Sequence, residues 1–223
     1  MTLRRTSCAL AALLSGCATT APSARPQGGS CAEAHARYQH PLLAPLASEH
    51  LVYRELEFDV EGQQPEVLKA FLAAPLETFI HTGTAKVAAV DHTEPLTPER
   101  FPTVGSVRLV CLRDGGMAEE TVLSVTDRRL VYLVTYEMAE AEPVHHAIGS
   151  FTFAPDGART HVTWRYSFAL RTDRLPGALG GLGRELFRTT YLEKDYADFM
   201  RSIAADITAW AAQRTSGAPR SAR

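Results

Sequence analysis

Between residues 86 and 170 the chain consists of consecutive strand-like segments separated by turns, which leaves few folds open to it. Alternation of apolar and polar residues predicts six strands there, over 86–92, 105–113, 118–126, 130–138, 144–153 and 159–170. Two of the intervening segments, Asp114-Gly115-Gly116 and Asp156-Gly157, are typical hairpin turns. Consecutive hairpins favour one antiparallel sheet with one buried face and one solvent-exposed face.

One further strand and two helical regions flank this block. The strand is predicted over 52–60, and the helical region after it, from Gln64 to Ile80, is split by Pro75. At the other end, residues 182–213 carry apolar residues at spacings of three and four, which predicts one long amphipathic helix. We interpret the four glycines before it, Gly177, Gly180, Gly181 and Gly183, as a flexible hinge or lid. Strands followed by a terminal helix indicate an α+β fold.

The first residues of the chain resemble a bacterial lipoprotein signal. Arg4 and Arg5 precede a short apolar run, and Leu14-Ser15-Gly16-Cys17 resembles the lipobox, in which the cysteine is acylated after cleavage. The apolar run is far shorter than a membrane-spanning helix. We therefore expect a signal peptide over 1–16 and a lipid anchor on Cys17, with a simple cleaved signal as the alternative. Ala18 after the cysteine favours the outer membrane, facing the periplasm.

Composition divides the rest of the chain into tether, domain and tail. Residues 18–30 are rich in Ala, Pro, Ser, Thr and Gly, so we assign 17–50 to the lipidated cysteine and a tether. The folded domain is predicted over 51–213, and 214–223 is predicted to be a disordered tail. The net charge of −2 becomes −4 once the two signal arginines are removed. This balance argues against nucleic acid as a partner, because phosphate neutralisation requires a basic surface.

Two cysteines remain after processing, Cys31 and Cys111, since Cys8 leaves with the signal and Cys17 carries lipid. In an oxidising compartment they could form a disulfide. Alternatively, Cys111 lies in a predicted strand and could act as a small buried hydrophobe. The sequence leaves both possibilities open.

The order of elements resembles the START-like superfamily, also called SRPBCC, of polyketide cyclases, dehydrases and lipid-transfer proteins. The residues that carry the resemblance are 105–108 (Gly-Ser-Val-Arg), the Asp114-Gly115 turn, Glu120, Asp127 and the strand from Tyr132 to Tyr136. The resemblance covers about 51–213 and implies a helix-grip fold, in which a curved antiparallel sheet wraps around a long C-terminal helix. A cavity between sheet and helix would hold a hydrophobic ligand.

The resemblance also implies which side chains face that cavity. The implied positions are Arg108, Glu120, Val122, Val134, Tyr136, His146, Ile148, Trp164, Tyr166 and Phe168. Alternation of apolar residues supports the faces that contain Val134 and Trp164 independently.

Arg108 is the one conflict between the resemblance and the pattern. Periodicity turns Val107, Leu109 and Cys111 inward and Arg108 outward, whereas the resemblance turns Arg108 inward. A buried arginine needs a partner, which could be Glu120 on the adjacent strand or the carboxylate of a ligand. If Arg108 faces outward, it is a solvated surface residue.

Catalytic and metal-binding motifs are weak in this sequence. Adjacent strand residues point to opposite faces, so we expect His145 and His146 not to chelate a metal together, and no metal or cofactor is predicted. His146 or Glu120 could act as an acid or base inside an apolar cavity. The favoured function is binding of a hydrophobic or amphipathic molecule, such as a lipid, by a membrane-anchored protein. The alternatives are a cyclase-like or dehydrase-like enzyme and a non-catalytic assembly factor of the envelope.

Overall fold

The structure, a computed structural model, describes residues 31–37, 51–84, 86–136 and 141–216. The predicted signal peptide, Cys17, residues 18–30 and the end of the predicted tail lie outside the described residues, so the predicted boundaries of these segments stay predictions. None of the described helices combines the length and the hydropathy that crossing a membrane requires.

Seven antiparallel strands form one sheet in the order β1-β7-β6-β5-β4-β3-β2. Their bounds are β1 Leu51–Glu61, β2 Val90–Pro95, β3 Val107–Leu112, β4 Met117–Val125, β5 Arg129–Tyr136, β6 Val144–Asp156 and β7 Arg159–Leu170. Strands that are neighbours in sequence pair with each other from β2 to β7, and β1 returns to pair with β7. The second strand begins at Val90 rather than at 86, so this prediction was wrong by four residues.

The helices are α1 Cys31–Arg37, α2 Gln64–Ala73, α3 Gly181–Phe187 and α4 Asp195–Thr215, with short 3-10 turns at Leu76–Thr78 and Gly177–Leu179. The single helix predicted over 182–213 is interrupted. A π-helical turn, Arg188–Leu192, follows α3, and Lys194 leaves helical geometry with φ −117° and ψ −90°. Leu192 is fully buried at this break, so its side chain packs in the core where the helix is interrupted.

The core lies between the concave face of the sheet and α4. Met200, Ile203 and Ile207 of α4 share one apolar cluster with Trp164 and Phe168 of β7. A curved antiparallel sheet closed by a C-terminal helix is the helix-grip arrangement, so the predicted α+β fold class is confirmed.

Two of the glycines before α3 allow close packing. A Cβ atom on Gly177 would lie 2.1 Å from the carbonyl oxygen of Arg171, and one on Gly183 would lie 1.8 Å from that of Pro176. Both glycines are buried. At these two positions the missing side chain brings backbone segments into contact, a packing role that the interpretation as a flexible hinge or lid does not include.

The outer face of β3 is covered by α1. Leu109, Cys111 and Met117 form a small second core there, against which Cys31 and Ala34 pack. A disulfide joins Cys31 to Cys111, with their Cα atoms 6.1 Å apart. Of the two possibilities left open by the sequence, the structure has the disulfide. The cover explains why β3 is apolar on both faces.

Candidate ligand-binding cavity

A cavity of about 950 Å³ lies between the concave face of the sheet and the helices. Side chains of β3 to β7 form one wall, and Tyr196, Phe199 and Ile203 of α4 form part of the other. Lys86 and Asp114 belong to the lining and are exposed, which locates the opening where β3 ends. Most of the lining is apolar, so the interior favours a hydrophobic occupant.

Seven of the ten predicted cavity positions line this space, namely Arg108, Glu120, Val134, Tyr136, Trp164, Tyr166 and Phe168. Val122 is 1% exposed and packs in the adjoining core instead of on the wall. His146 and Ile148 also lie off the wall, contrary to expectation. A register shift between Val144 and His146 is the reason, because it leaves Ala147 and Phe151 of β6 in the inner core.

Arg108 turns into the cavity and is paired. Its Nε and Nη2 atoms donate hydrogen bonds to Oε2 of Glu120 at 2.8 and 2.6 Å. The guanidinium also stacks on Phe101, with Cζ 3.7 Å from the ring centroid. The side chains of Arg108 and Glu120 are only 14% and 11% exposed. The structure therefore rules out a solvated Arg108, and the two charges compensate each other inside the wall.

Five tyrosines also line the cavity, namely Tyr132, Tyr136, Tyr166, Tyr191 and Tyr196. Tyr136 and Tyr166 share a hydrogen bond with their hydroxyl oxygens 2.7 Å apart, and the rings of Tyr166 and Tyr196 lie 5.1 Å apart. Burial raises the pKa of Tyr132, Tyr136, Tyr166 and Tyr196 above the ordinary phenol value, and it raises the pKa of Tyr191 to about 12. All five phenols therefore stay protonated at neutral pH and serve as hydrogen-bonding groups.

Sequence reasoning missed several residues of the wall. Tyr191 and Tyr196 lie on the helical segment, whose apolar spacing predicts only an amphipathic helix, and Phe101 lies in the loop before β3. Their aromatic character was visible, but it does not distinguish a core position from a cavity position. Trp164 was identified, and among the described residues its buried Nε1 atom has no hydrogen-bond partner. An unpaired buried donor on a cavity wall could be satisfied by an oxygen atom of a ligand.

The two neighbouring histidines contact each other, which the alternation rule did not anticipate. Their Nδ1 atoms are 2.7 Å apart, at the register shift where β6 begins. Burial, and then the proximity of His145, lowers the pKa of His146 from its ordinary value. Because His146 lies off the cavity wall, an acid or base role for it in the cavity has no geometric support.

A family model described as "Polyketide cyclase / dehydrase and lipid transport" matches residues 81–208, which is more than half of the chain. No curated protein matches the chain in sequence.

Several solved structures are similar in fold. The di-domain aromatase/cyclase StfQ from the steffimycin biosynthetic pathway has a TM-score of 0.55 at 15% identity, over 75% of this chain and 53% of that one. The di-domain protein BexL from the BE-7585A pathway has a TM-score of 0.53 at 16% identity, over 73% of this chain and 50% of that one. This chain thus spans about half the length of these two proteins. Norcoclaurine synthase from Thalictrum has a TM-score of 0.51 at 9% identity, over 74% and 96% of the two chains.

Proposed function

Because this chain belongs to the polyketide cyclase/dehydrase and lipid transport family, we propose that it binds a hydrophobic or amphipathic small molecule, such as a lipid. The observation that carries the proposal is the cavity of about 950 Å³. Trp164, Tyr166 and Phe168 line this space and leave it open. Its volume lies within the range of about 300–1,000 Å³ that is typical of small-molecule sites.

The charges of the wall favour an uncharged ligand body. Arg108 is already neutralised by Glu120, so a carboxylate on the ligand would have to displace a short existing ion pair. The protonated tyrosine hydroxyls and the indole of Trp164 offer hydrogen bonds to a hydroxyl or carbonyl group. A charged group would instead remain at the opening, beside Lys86 and Asp114.

Binding without chemical conversion is favoured over catalysis. The two residues named as acid or base from the sequence are not placed for that role, since Glu120 is held by Arg108 and His146 lies off the wall. The cavity phenols have raised pKa values, which makes them poor bases at neutral pH.

The site of action that we propose is the membrane of the bacterial envelope, through acyl chains on Cys17. The lipobox-like sequence before Cys17 supports this, and so does the disulfide between Cys31 and Cys111, since disulfides persist in oxidising compartments. With a predicted mature charge of −4, attachment would depend on acyl chains rather than on basic residues.

A bound ligand provides the test. The protein is purified from its own envelope with mild detergent and analysed by native mass spectrometry, together with Val134→Trp and Leu133→Trp variants. Val134 lines the cavity, whereas its neighbour Leu133 does not, so the pair controls for the added indole. We expect a co-purified small molecule with the unmodified chain and with Leu133→Trp, and its loss with Val134→Trp. Uptake of the fluorescent apolar probe phenylnaphthylamine should follow the same order.

An empty cavity that also fails to take up the probe would contradict ligand binding and favour the assembly-factor alternative. Equal binding by both variants would place the ligand outside the cavity. Conversion of the co-purified molecule during incubation would favour the enzyme.

A further inference from the structure

Four leucines are exposed on the segment that connects β7 to the π-helical turn. They are Leu175, Leu179, Leu182 and Leu186, with exposed fractions of 67%, 48%, 71% and 47%. We call them the leucine rim. Single exposed leucines are common on soluble proteins, but here four large apolar side chains are exposed within twelve residues of one short segment.

The leucine rim adjoins residues of the cavity wall along the chain. Pro176 follows Leu175 and Phe187 follows Leu186, and both Pro176 and Phe187 line the cavity. The same short segment therefore presents apolar side chains inward, to the proposed ligand, and outward, to the surroundings. Whatever covers the rim lies beside the cavity.

Charged groups next to the rim are already paired. Arg174 donates a hydrogen bond to Glu142, and Arg188 donates one to Glu185 at 2.9 Å. The rim thus offers apolar area flanked by compensated charges rather than a basic patch. This composition suits contact with acyl chains and does not require anionic headgroups.

The disulfide brings the N-terminal chain to the same end of the sheet. β3 and β7 run in the same direction. Cys111 near the end of β3 and Leu170 at the end of β7 therefore lie at the same end of the sheet. Cys31 is bonded to Cys111, and Leu170 leads into the rim. The N-terminal segment therefore joins the domain near the cavity opening at Asp114.

The disulfide also shortens the link between Cys17 and the domain. Only residues 18–30 separate Cys17 from Cys31, which limits their reach to about 45 Å even when fully extended. Without the disulfide the link would extend over 18–50, with a limit of about 110 Å. An anchor at Cys17 would thus hold the cavity end of the domain close to the membrane.

From these observations we propose that the leucine rim lies in the bilayer that carries the anchor, so that the cavity opens beside the acyl chains. The position of the membrane in this proposal rests on the proposed anchoring through Cys17. The rim would let an apolar ligand pass between bilayer and cavity with little exposure to water.

The test measures how deeply the rim enters a bilayer without depending on acylation. A chain beginning at Ala18, which retains every described residue, carries an N-terminal polyhistidine tag and is held on phosphatidylcholine vesicles by nickel-chelating lipid. Leu182→Trp serves as the reporter and Leu123→Trp is the control. Leu123 is 45% exposed and lies near the end of β4 that is farther from the cavity opening. Dibrominated phosphatidylcholine quenches only tryptophans that enter the bilayer. The native Trp164 and Trp210 are 2% and 8% exposed and give a constant background in both variants.

We expect about a twofold loss of the added emission for Leu182→Trp and none for Leu123→Trp, because interfacial apolar side chains enter a bilayer by about 5–10 Å. Added phosphatidylglycerol should change neither value, and reduction of the disulfide should weaken the quenching.

Absence of quenching at position 182, or equal quenching at 182 and 123, would overturn the proposal. A dimer in solution that Leu182→Glu dissociates would assign the rim to a second copy of the chain and would also overturn it. Failure of acylation or of ligand binding would appear only in the separate labelling and mass-spectrometry experiments.

Discussion

At the scale of single residues, the pair formed by Arg108 and Glu120 is the most consequential arrangement in the cavity. Two opposite charges sit in a mainly apolar wall, with N–O distances of 2.6 and 2.8 Å and a phenyl ring stacked over the guanidinium. Such a pair adds little net stability, but each partner makes burial of the other tolerable. The pair therefore keeps a polar position in the wall without presenting net charge to the ligand.

Removal of one partner should be far more costly than removal of both. We expect Arg108→Leu to lower the free energy of unfolding by about 3–5 kcal/mol, because Glu120 would be left as a buried, uncompensated carboxylate. The double variant Arg108→Leu/Glu120→Leu should recover most of this loss. Urea unfolding monitored by circular dichroism measures both. A double variant no more stable than the single one would contradict the importance of the pair.

At the scale of secondary-structure elements, α1 and its disulfide form a clip on the outer face of the sheet. The helix has only seven residues, too few to be stable alone, and is held by Cys31 and by contacts with Leu109 and Met117. The bond links positions 80 residues apart. It thus restricts the unfolded chain and covers apolar residues of β3 at the same time.

Loss of this clip should be measurable as a loss of stability. We expect Cys31→Ala/Cys111→Ala to lower the free energy of unfolding by about 2–4 kcal/mol, the usual range for a disulfide that closes a long loop. Thermal unfolding with and without a reducing agent provides the measurement and its control. Reductant should destabilise the unmodified protein and leave the double variant unchanged. Equal stability of both proteins under oxidising conditions would show that the clip contributes nothing.

At the scale of the whole molecule, the proposed function joins an anchor, a short link and a cavity whose opening lies beside exposed leucines. The anchor is the part that rests on sequence alone, because Cys17 lies outside the described residues. A domain held near a membrane by several acyl chains would remain there permanently, whereas one apolar contact surface alone would bind reversibly.

The anchor has a direct test with a matched control in the same segment. We expect metabolic labelling with palmitate to mark the unmodified chain and Cys8→Ala, but not Cys17→Ala, since Cys8 would be removed with the signal peptide. Fractionation should find Cys17→Ala released from the membrane. Labelling that survives the change at Cys17, or that never occurs, would exclude the lipoprotein interpretation.

Much of the fold could be predicted because its determinants are local. The alternation of apolar and polar residues predicts a strand over 159–170, and β7 has the same first and last residues. The two predicted hairpin turns contain Gly115 and Gly157, which take positive φ values of 93° and 59°. Seven of the ten predicted cavity positions also lie on the wall, because the strand pattern and the resemblance agree for most strands. These predictions agree with the structure where neighbouring strands pair without a register shift.

The failures occur where regular pairing or one-sided burial ends. One register shift at the start of β6 moved His146 and Ile148 off the cavity wall, and a buried Leu192 accompanies the division of the predicted long helix. Neither event changes the apolar pattern enough to be recognised from it.

Local sequence patterns suffice to predict the order of the elements, the single antiparallel sheet and the helix that closes it, because periodicity and turn residues act over a few neighbouring positions. The tertiary structure alone decided which face of β3 lines the cavity, since both faces are apolar and Arg108 turns inward to Glu120. It also decided that Cys31 covers the other face, from 80 residues away. A local pattern shows that a side chain avoids water, but only the assembled chain shows what covers it.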